Sequence, residues 1–209
     1  MITLYTWTTP NGHKASIMLE EIGAAYMVKP INLGKGEQHA PQFVAISPNN
    51  KIPAIIDDSD ADRRAIFETG AILIYLAEKS GQLLPSRGAL RDQTLEWLFW
   101  ASSALAPMLG QWNHFARRAK ERTPVAIEHF AKEAVRLLHV LEGRLAEATH
   151  LAGRYSIADI AAFTWTRALL PELSKDAGDQ LADTPSINRW LAEIGARPAV
   201  ARGLRVPTI

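Results

Sequence analysis

The sequence changes its pattern of secondary-structure signals once, in the segment at residues 84–88, which contains a proline and a glycine. Strand-like and helix-like stretches alternate before this segment, whereas only helical periodicity follows it. Alternation of the two signals predicts a sheet covered by helices, and helical periodicity alone predicts a helix bundle. The chain is therefore expected to form two domains of different class, at residues 1–81 and 91–209, joined by a linker at 82–90.

The first domain has the predicted element order β-α-β-α-β-β-α. The signals place strands at 2–6, 26–31, 51–57 and 65–67 and helices at 15–22, 38–46 and 69–79. A helix between the first two strands predicts that these strands are parallel, with a right-handed crossover. Only the polar stretch 58–64 separates the last two strands, which predicts an antiparallel hairpin. The domain is thus expected to be a small mixed sheet with helices on its faces.

The second domain is expected to be all-helical, with helices at 92–118, 124–149, 157–170 and 186–194. Ser156 and Asp159 stand three residues apart ahead of an apolar run, which is the pattern of a capping box. An N-cap of this kind stabilises a helix by about 0.5–2 kcal/mol. We expect the pair to serve folding and not catalysis.

Composition excludes several classes of function. The chain has no cysteine, which rules out disulfides, thiolate metal sites and a cysteine nucleophile of its own. With 23 Lys and Arg against 22 Asp and Glu, the concentrated basic residues of a nucleic-acid-binding protein are not expected. No metal site is predicted either. No apolar run approaches the roughly 20 residues that span a bilayer, and Met1 leads directly into a strand. These features predict a cytoplasmic protein without a membrane partner.

The segment 8–14, Thr-Thr-Pro-Asn-Gly-His-Lys, lies between the first predicted strand and the first predicted helix. Backbone N–H groups and small polar side chains at a helix N-terminus are suited to binding an anion. Pro-Asn-Gly also occurs in many ordinary turns. The segment therefore indicates an anion site without identifying the anion.

The order of a thioredoxin-like α/β domain, a short linker and an all-helical domain resembles the cytosolic glutathione transferases. Ile52-Pro53 is similar to the family's cis-proline at the start of the third strand, and 67–72 is similar to its Glu-Ser-x-x-Ile pattern. The capping box at 156–159 is also a family feature. Nearly the whole chain is covered by this resemblance.

Shorter segments resemble the bacterial Nu class of this family. They are residues 9–14, 33–38, 47–55 and 97–100, together with 107–111. The class resemblance implies reduction of disulfides by glutathione, with little dependence on a nucleophile of the protein. The absence of cysteine is consistent with that activity.

The resemblance implies a site for each end of glutathione. Glu68 would pair with the γ-glutamyl ammonium, and Thr69, in place of the more usual serine, would hold the adjoining carboxylate at a helix start. Gln38 and Lys51 would meet the glycine carboxylate. A solvated lysine at a strand edge remains an alternative for Lys51.

The middle of glutathione would bind the main chain. A cis peptide before Pro53 would direct the N–H and C=O of Ile52 to the cysteinyl amide, as if a short strand were added. On the opposite side, the helical domain would contribute His129. Related sequences have an arginine at this position that meets a glutathione carboxylate, so a histidine would bind less strongly and in a pH-dependent way.

The glutathione thiolate is the expected nucleophile, since only the ionised thiol attacks. Thr9 and Asn11 are predicted to stabilise it, because each hydrogen bond to a charged group contributes about 1.5–3 kcal/mol. Tyr5 is an alternative donor, as a tyrosine near the end of the first strand has this role in other classes of the family. His13 is an alternative as a base.

A substrate wall is expected on the first long helix of the second domain. Its members share one broad helical face, although such a stripe is also typical of a core; they are Met108, Gln111, Trp112, His114 and Phe115.

The predicted function is therefore a glutathione-dependent disulfide-bond reductase that uses glutathione, in one or two molecules or in its oxidised form, and acts on small disulfides as a homodimer. Two alternatives remain open. One is conjugation of glutathione to electrophiles or reduction of peroxides by the same thiolate. The other is a non-catalytic binding protein with the same fold.

Overall fold

A computed structural model describes residues 1–59, 62–181 and 183–208, except for the side chain of residue 179. The chain forms two compact units. The first combines Met1–Ser86 with Gly195–Ile209, and the second is Arg87–Ile194. The predicted polar loop at 58–64 includes residues 60 and 61, which lie outside the described residues.

The described strands of the first unit form one mixed sheet in the order β2-β1-β3-β4. They are β1 Ile2–Thr6, β2 Tyr26–Pro30, β3 Ala54–Asp57 and β4 Arg64–Phe67. β1 and β2 are parallel, whereas β3 is antiparallel to both β1 and β4. The predicted crossover pair and hairpin are therefore confirmed. β3 starts three residues later than predicted, after the segment that contains Pro53.

The first unit contains the helices α1 Pro10–Glu21, α2 Pro41–Val44 and α3 Thr69–Ser80, with single 3-10 turns at Leu33–Lys35 and Glu37–His39. The sequence prediction for α1 was wrong at its start, because the helix begins at Pro10 and not at residue 15. Thr9 is the N-cap, and its Oγ1 accepts a hydrogen bond of 3.1 Å from the Gly12 N–H. Pro10 fits the first helical position, where no N–H is needed. The Pro-Asn-Gly sequence is thus the first turn of a helix.

The second unit is helical, as predicted. Its helices are α4 Ala89–Trp100, α5 Ala106–Asn113, α6 Pro124–Glu147, α7 Ile157–Ala177 and α8 Pro185–Gly195, whose last residue is grouped with the first unit. π-helical segments at Ala101–Leu105 and His114–Arg118 follow α4 and α5. α7 continues past Pro171, beyond the predicted end, because Leu170 and Leu173 are buried on either side of the proline.

The predicted capping box opens α7. Asp159 is fully buried, and its Oδ2 accepts 3.0 Å hydrogen bonds from the backbone N–H and the hydroxyl of Ser156. Its Oδ1 accepts 3.0 Å bonds from the Leu151 N–H and the Trp190 indole N–H. Burial raises the pKa of Asp159, and these hydrogen bonds oppose the increase. One carboxylate therefore joins the start of α7 to the preceding loop and to α8.

The end of the chain belongs to the first unit, which differs from the predicted boundary at residues 91–209. Helix α9, Pro198–Gly203, packs on α1, and the Ser16 hydroxyl donates a 2.7 Å hydrogen bond to the Gly203 carbonyl. Arg197 pairs with Glu21 at 2.7 Å. The sequence identified a helical region here, but helical periodicity does not indicate which neighbour a helix packs against.

Gly203→Ala is expected to destabilise the protein by about 1–3 kcal/mol, because the added methyl group overpacks a backbone contact. A Cβ at residue 203 would lie 2.6 Å from the Ile17 Cα and 2.7 Å from the Ile17 N. Gly195→Ala is the matched control, since its Cβ would meet nothing within 4 Å. Thermal unfolding followed by circular dichroism measures both. Equal melting temperatures for the two variants would contradict this account of the α1–α9 contact.

Candidate active site

The register of the sheet gathers the predicted binding residues of the first unit at one of its ends. Tyr5 of β1 pairs with Ala54 of β3, which pairs with Phe67 of β4, and Thr6 pairs with Pro30 of β2. The carboxyl ends of β1, β2 and β4 therefore lie at the same end of the sheet as the amino end of β3. Segments that flank these strand ends hold Thr9, Asn11, Gln38, Lys51, Ile52, Pro53, Glu68 and Thr69.

The start of α1 has the geometry of an anion site. The Thr9 hydroxyl accepts from the Gly12 N–H, so its own hydrogen can point elsewhere. Asn11 is half-buried in the first helical turn. Gly12 has to be a glycine, since a Cβ there would collide with the Trp7 carbonyl and lie 2.6 Å from Thr6 Oγ1. This tight turn brings the positive end of the helix dipole beside small donors.

The segment before β3 contains the predicted cis-proline. The Ile52–Pro53 peptide bond is cis. Ile52 is buried, and the Ser47 hydroxyl donates a 2.9 Å hydrogen bond to the Lys51 carbonyl in the preceding turn. The Lys51 side chain is exposed. The backbone around Ile52 is thus fixed, whereas the lysine side chain is open to solvent.

Glu68 precedes α3 in an unusual backbone conformation. Its φ is 70° and its ψ is 125°, and its carbonyl accepts a 2.9 Å bond from the Ile72 N–H. A residue other than glycine at positive φ costs on the order of 1–3 kcal/mol and often belongs to a functional site. Thr69, half-buried, is the first residue of α3. An acid and a hydroxyl therefore stand together at a second helix N-terminus.

Gln38 lies in the 3-10 turn after β2. The turn is braced by a 2.7 Å hydrogen bond from the Asn32 N–H to the Glu37 carboxylate. Within the described part of the chain, the side-chain oxygen of Gln38 is buried without a hydrogen-bond partner. Leaving such a group unpaired costs about 1–3 kcal/mol, which is consistent with a partner supplied by a ligand.

Tyr5 and His13, the alternatives for activating the thiol, have other surroundings. The Tyr5 ring centroid lies 6.3 Å from that of Phe43, and Lys29 Nζ lies 5.4 Å from the Tyr5 ring centroid. The ring packs against the buried cluster of Phe43, Ile52 and Ala54. These contacts disfavour Tyr5 as a thiol donor. His13 is half-buried in α1.

Lys14 was missed by the sequence interpretation. It stands in α1 just after the predicted anion site, and its side chain is 1% exposed. Burial lowers the pKa of Lys14 to about 7, and the charge of Glu68 opposes part of this decrease. A single lysine in a polar segment carries no sequence signal of burial, so only the fold reveals it.

In the helical unit, the predicted wall residues differ in how far they are buried. Met108 and Phe115 are half-buried, and Gln111 and His114 are exposed. Trp112 differs, since it is fully buried. It is among the residues around an open surface pocket of about 700 Å³ between α5, α6 and α7, but it has no exposed surface itself and so forms no part of an exposed wall.

An aromatic pair links α6 to the segment after α5 and contains one of the predicted wall residues, Phe115. Phe115 stacks on Phe130 with ring centroids 5.6 Å apart and an interplanar angle of 7°. His114 and His129 each make an edge contact with the neighbouring phenylalanine, at 5.1 and 5.2 Å. Phe130 was not predicted, because helical periodicity does not identify which residue of a neighbouring helix a side chain meets. His129 is exposed on α6.

Among the described residues, no cluster of three or more His, Asp and Glu side chains is arranged to hold a metal ion. None of their helices combines the length and the apolar character needed to cross a membrane.

The fold and the site together define a thioredoxin-like domain with a helical partner. Family models agree: residues 1–78 match the glutathione S-transferase N-terminal domain, and residues 106–198 match the glutathione S-transferase C-terminal domain. The chain belongs to the glutathione S-transferase family. The predicted family and fold class are therefore confirmed.

Similar proteins carry enzyme names, in agreement with the prediction of an enzyme. The chain is 46% identical to the disulfide-bond oxidoreductase YfcG of Escherichia coli over 98% of this chain and 94% of that protein. It is 41% identical to the disulfide-bond oxidoreductase YghU of the same organism, over 97% of this chain and 73% of that protein.

Among solved structures, a glutathione transferase family member from Pseudomonas fluorescens, with two glutathione bound, has a TM-score of 0.93 and 44% identity, covering 99% of this chain and 93% of that one. A glutathione transferase from Pseudomonas putida has a TM-score of 0.93 and 41% identity, covering 99% and 91%. That structure has one glutathione disulfide bound per subunit.

Proposed function

We propose that this protein is a glutathione-dependent disulfide-bond reductase of the Nu class. The observation that carries the proposal is the start of α1, where Thr9 and Asn11 stand at a helix N-terminus in a chain without cysteine. Small donors and a helix dipole stabilise an anion but cannot attack a disulfide themselves. The attacking sulfur therefore has to come from the ligand.

Glutathione would be held by the segments that the sheet brings to one end. The acid of Glu68 suits the γ-glutamyl ammonium, and Thr69 at the start of α3 suits the adjoining carboxylate. The backbone of Ile52 would bind the cysteinyl amide. The buried amide of Gln38 and the exposed Lys51 would meet the glycine carboxylate, and His129 is proposed as a further carboxylate ligand.

The reaction would proceed by thiol–disulfide exchange. The thiolate of bound glutathione attacks one sulfur of a disulfide, forming a mixed disulfide and releasing the other half as a thiolate. The thiolate of a second glutathione attacks the glutathione sulfur of this mixed disulfide. Oxidised glutathione forms, and the second half of the substrate leaves as a thiolate that takes up a proton. Two glutathiones are oxidised for each disulfide reduced.

Relatives support this scheme in two respects. Two relatives that match over nearly the whole chain are named disulfide-bond oxidoreductases. Similar structures contain two glutathione molecules or one glutathione disulfide per subunit, which correspond to the reactants and the product proposed here. The homodimer and the cytoplasmic location remain predictions.

Turnover of three substrates with glutathione tests the proposal. We expect kcat/KM for 2-hydroxyethyl disulfide to exceed that for chlorodinitrobenzene and for cumene hydroperoxide by at least about tenfold. A calorimetric titration with glutathione runs beside these assays. Preference for the chlorinated aromatic or for the peroxide would overturn the reductase assignment, and binding without turnover would indicate a non-catalytic glutathione-binding protein.

A further inference from the structure

Lys14 is a buried lysine that the proposed mechanism leaves without a role. Its side chain is 1% exposed and is among the largest fully buried side chains of the chain. Lysine is almost never fully buried unless it is paired with an opposite charge. The charge that acts on Lys14 is the carboxylate of Glu68, the residue that precedes α3.

The position of Lys14 on α1 places it next to the proposed sulfur donor. Lys14 follows Asn11 by three residues, and residues at this spacing are neighbours on a helix surface. Helical side chains also lean toward the helix N-terminus. An ammonium group on Lys14 that follows both tendencies lies near the first turn of α1, which contains Asn11 and is capped by Thr9.

Most of the other charged groups on the elements that pack against α1 are paired elsewhere, and Glu78 of α3 is exposed. On α9, Arg197 binds Glu21 and Arg202 binds Glu20, toward the far end of α1. On α3, Lys79 pairs with Asp57 at 3.0 Å. Asp57 pairs in register with Ile2, at the end of the sheet opposite to the site.

Two further titratable groups lie near α1. Tyr5 of β1 lies beneath Lys29, and His13 is the residue before Lys14 on α1. Neither of them is a carboxylate. The carboxylate whose charge favours the protonated form of Lys14 is that of Glu68, an exposed residue directly before α3, and α3 packs on α1.

We propose that Lys14 is a positioning residue whose buried ammonium stabilises the thiolate of glutathione bound at the start of α1. The inference rests on the proposed function, because it requires a glutathione thiolate at Thr9 and Asn11. The two charges support each other: a thiolate nearby favours the protonated lysine, and a protonated lysine favours the thiolate. At neutral pH, a proton lost by the thiol is partly balanced by a proton taken up by Lys14.

In the protein without glutathione, Lys14 can take up a proton near neutral pH. Burial brings the pKa of Lys14 to about 7, so a large fraction of the lysine is neutral when the site is empty. An opposite charge within about 4–6 Å changes a pKa by roughly 1–3 units. Formation of the thiolate is therefore expected to convert Lys14 to its charged form within the physiological pH range.

The test measures the thiol pKa of glutathione in the complex. The ultraviolet absorbance of the thiolate is followed from about pH 6 to 9, with the S-methylglutathione complex as a blank. In Lys14→Met, the apparent thiol pKa is expected to rise by about one unit, which is a tenfold loss of thiolate near neutral pH. The dissociation constant of S-methylglutathione is expected to change less than about threefold, since this ligand has no ionisable thiol.

Two further variants and a proton count complete the design. Lys29→Met removes an exposed lysine of the same unit and should leave the thiol pKa unchanged. Lys14→Arg retains the charge and should recover part of the thiolate. Calorimetry of glutathione binding in buffers of different ionisation enthalpy should show more proton release per bound thiolate in Lys14→Met than in the wild type.

The outcomes separate the two proposals. A Lys14→Met protein that binds S-methylglutathione and shows the wild-type thiol pKa and proton count would overturn the role of Lys14 alone; a purely structural lysine would change only the melting temperature. A wild-type protein that binds neither glutathione nor S-methylglutathione would overturn the proposed function, and the role of Lys14 with it.

Discussion

Asn11→Ala is expected to lower kcat/KM for 2-hydroxyethyl disulfide by about 10- to 100-fold, because one hydrogen bond to a charged sulfur contributes about 1.5–3 kcal/mol. Asn11 occupies the first turn of α1, where backbone N–H groups and the helix dipole also favour an anion. Loss of its amide would remove the proposed donor to the thiolate and leave the proposed binding residues for the ends of glutathione in place. The loss is therefore expected mainly in kcat and not in the affinity for S-methylglutathione.

Tyr5→Phe is the matched control for Asn11→Ala. It removes one hydroxyl from the same unit and keeps the ring that packs near Phe43. We expect kcat/KM to remain within about twofold of the wild type, since no step of the proposed reaction uses this hydroxyl. A loss at Tyr5 equal to or larger than that at Asn11 would show that the sulfur donors are assigned incorrectly.

Asp159→Ala is expected to lower the free energy of unfolding by about 3–5 kcal/mol, because it leaves several buried donors without an acceptor. The carboxylate accepts hydrogen bonds from two backbone N–H groups, one hydroxyl and the Trp190 indole. For a chain of this length the melting temperature should fall by roughly 6–20 °C. Thermal and urea unfolding measure the change.

Ser156→Ala provides the scale for the Asp159 result. It removes the N-cap hydroxyl of α7 and keeps the buried carboxylate, so a loss of about 1 kcal/mol is expected. If Asp159→Ala were no more destabilising than Ser156→Ala, the carboxylate would act only as a local helix cap. Its bonds to Leu151 and Trp190 would then contribute nothing measurable.

Two of the three strand pairings could be predicted from sequence because each signal was local. The helix between β1 and β2 requires a parallel crossover, and the short polar stretch before β4 requires a hairpin. The capping box at Ser156 was also predictable, since its partners stand three residues apart. The start of α1 was not, because Pro-Asn-Gly is equally suited to a turn and to a capped first helical turn.

Contacts between elements that are distant in the chain could not be predicted from the sequence. Trp112 and Phe115 lie on the same stretch of helix, yet Trp112 is fully buried and Phe115 stacks on Phe130 of α6. Helical periodicity identifies faces but does not identify the neighbour of each face. The burial of Lys14 depends in the same way on how α1 packs, and the glutathione handles were located only through resemblance to a family.

The hydrogen bond between Ser16 and Gly203 spans 187 positions of the chain. A ribosome that has released the whole sheet still has to synthesise the helical unit before α9 can cover Ile17. Until residue 203 has been synthesised, the face of α1 that packs on α9 is therefore uncovered in the nascent first unit. The contact between α1 and α9 can stabilise the sheet domain only after the helical unit has been made.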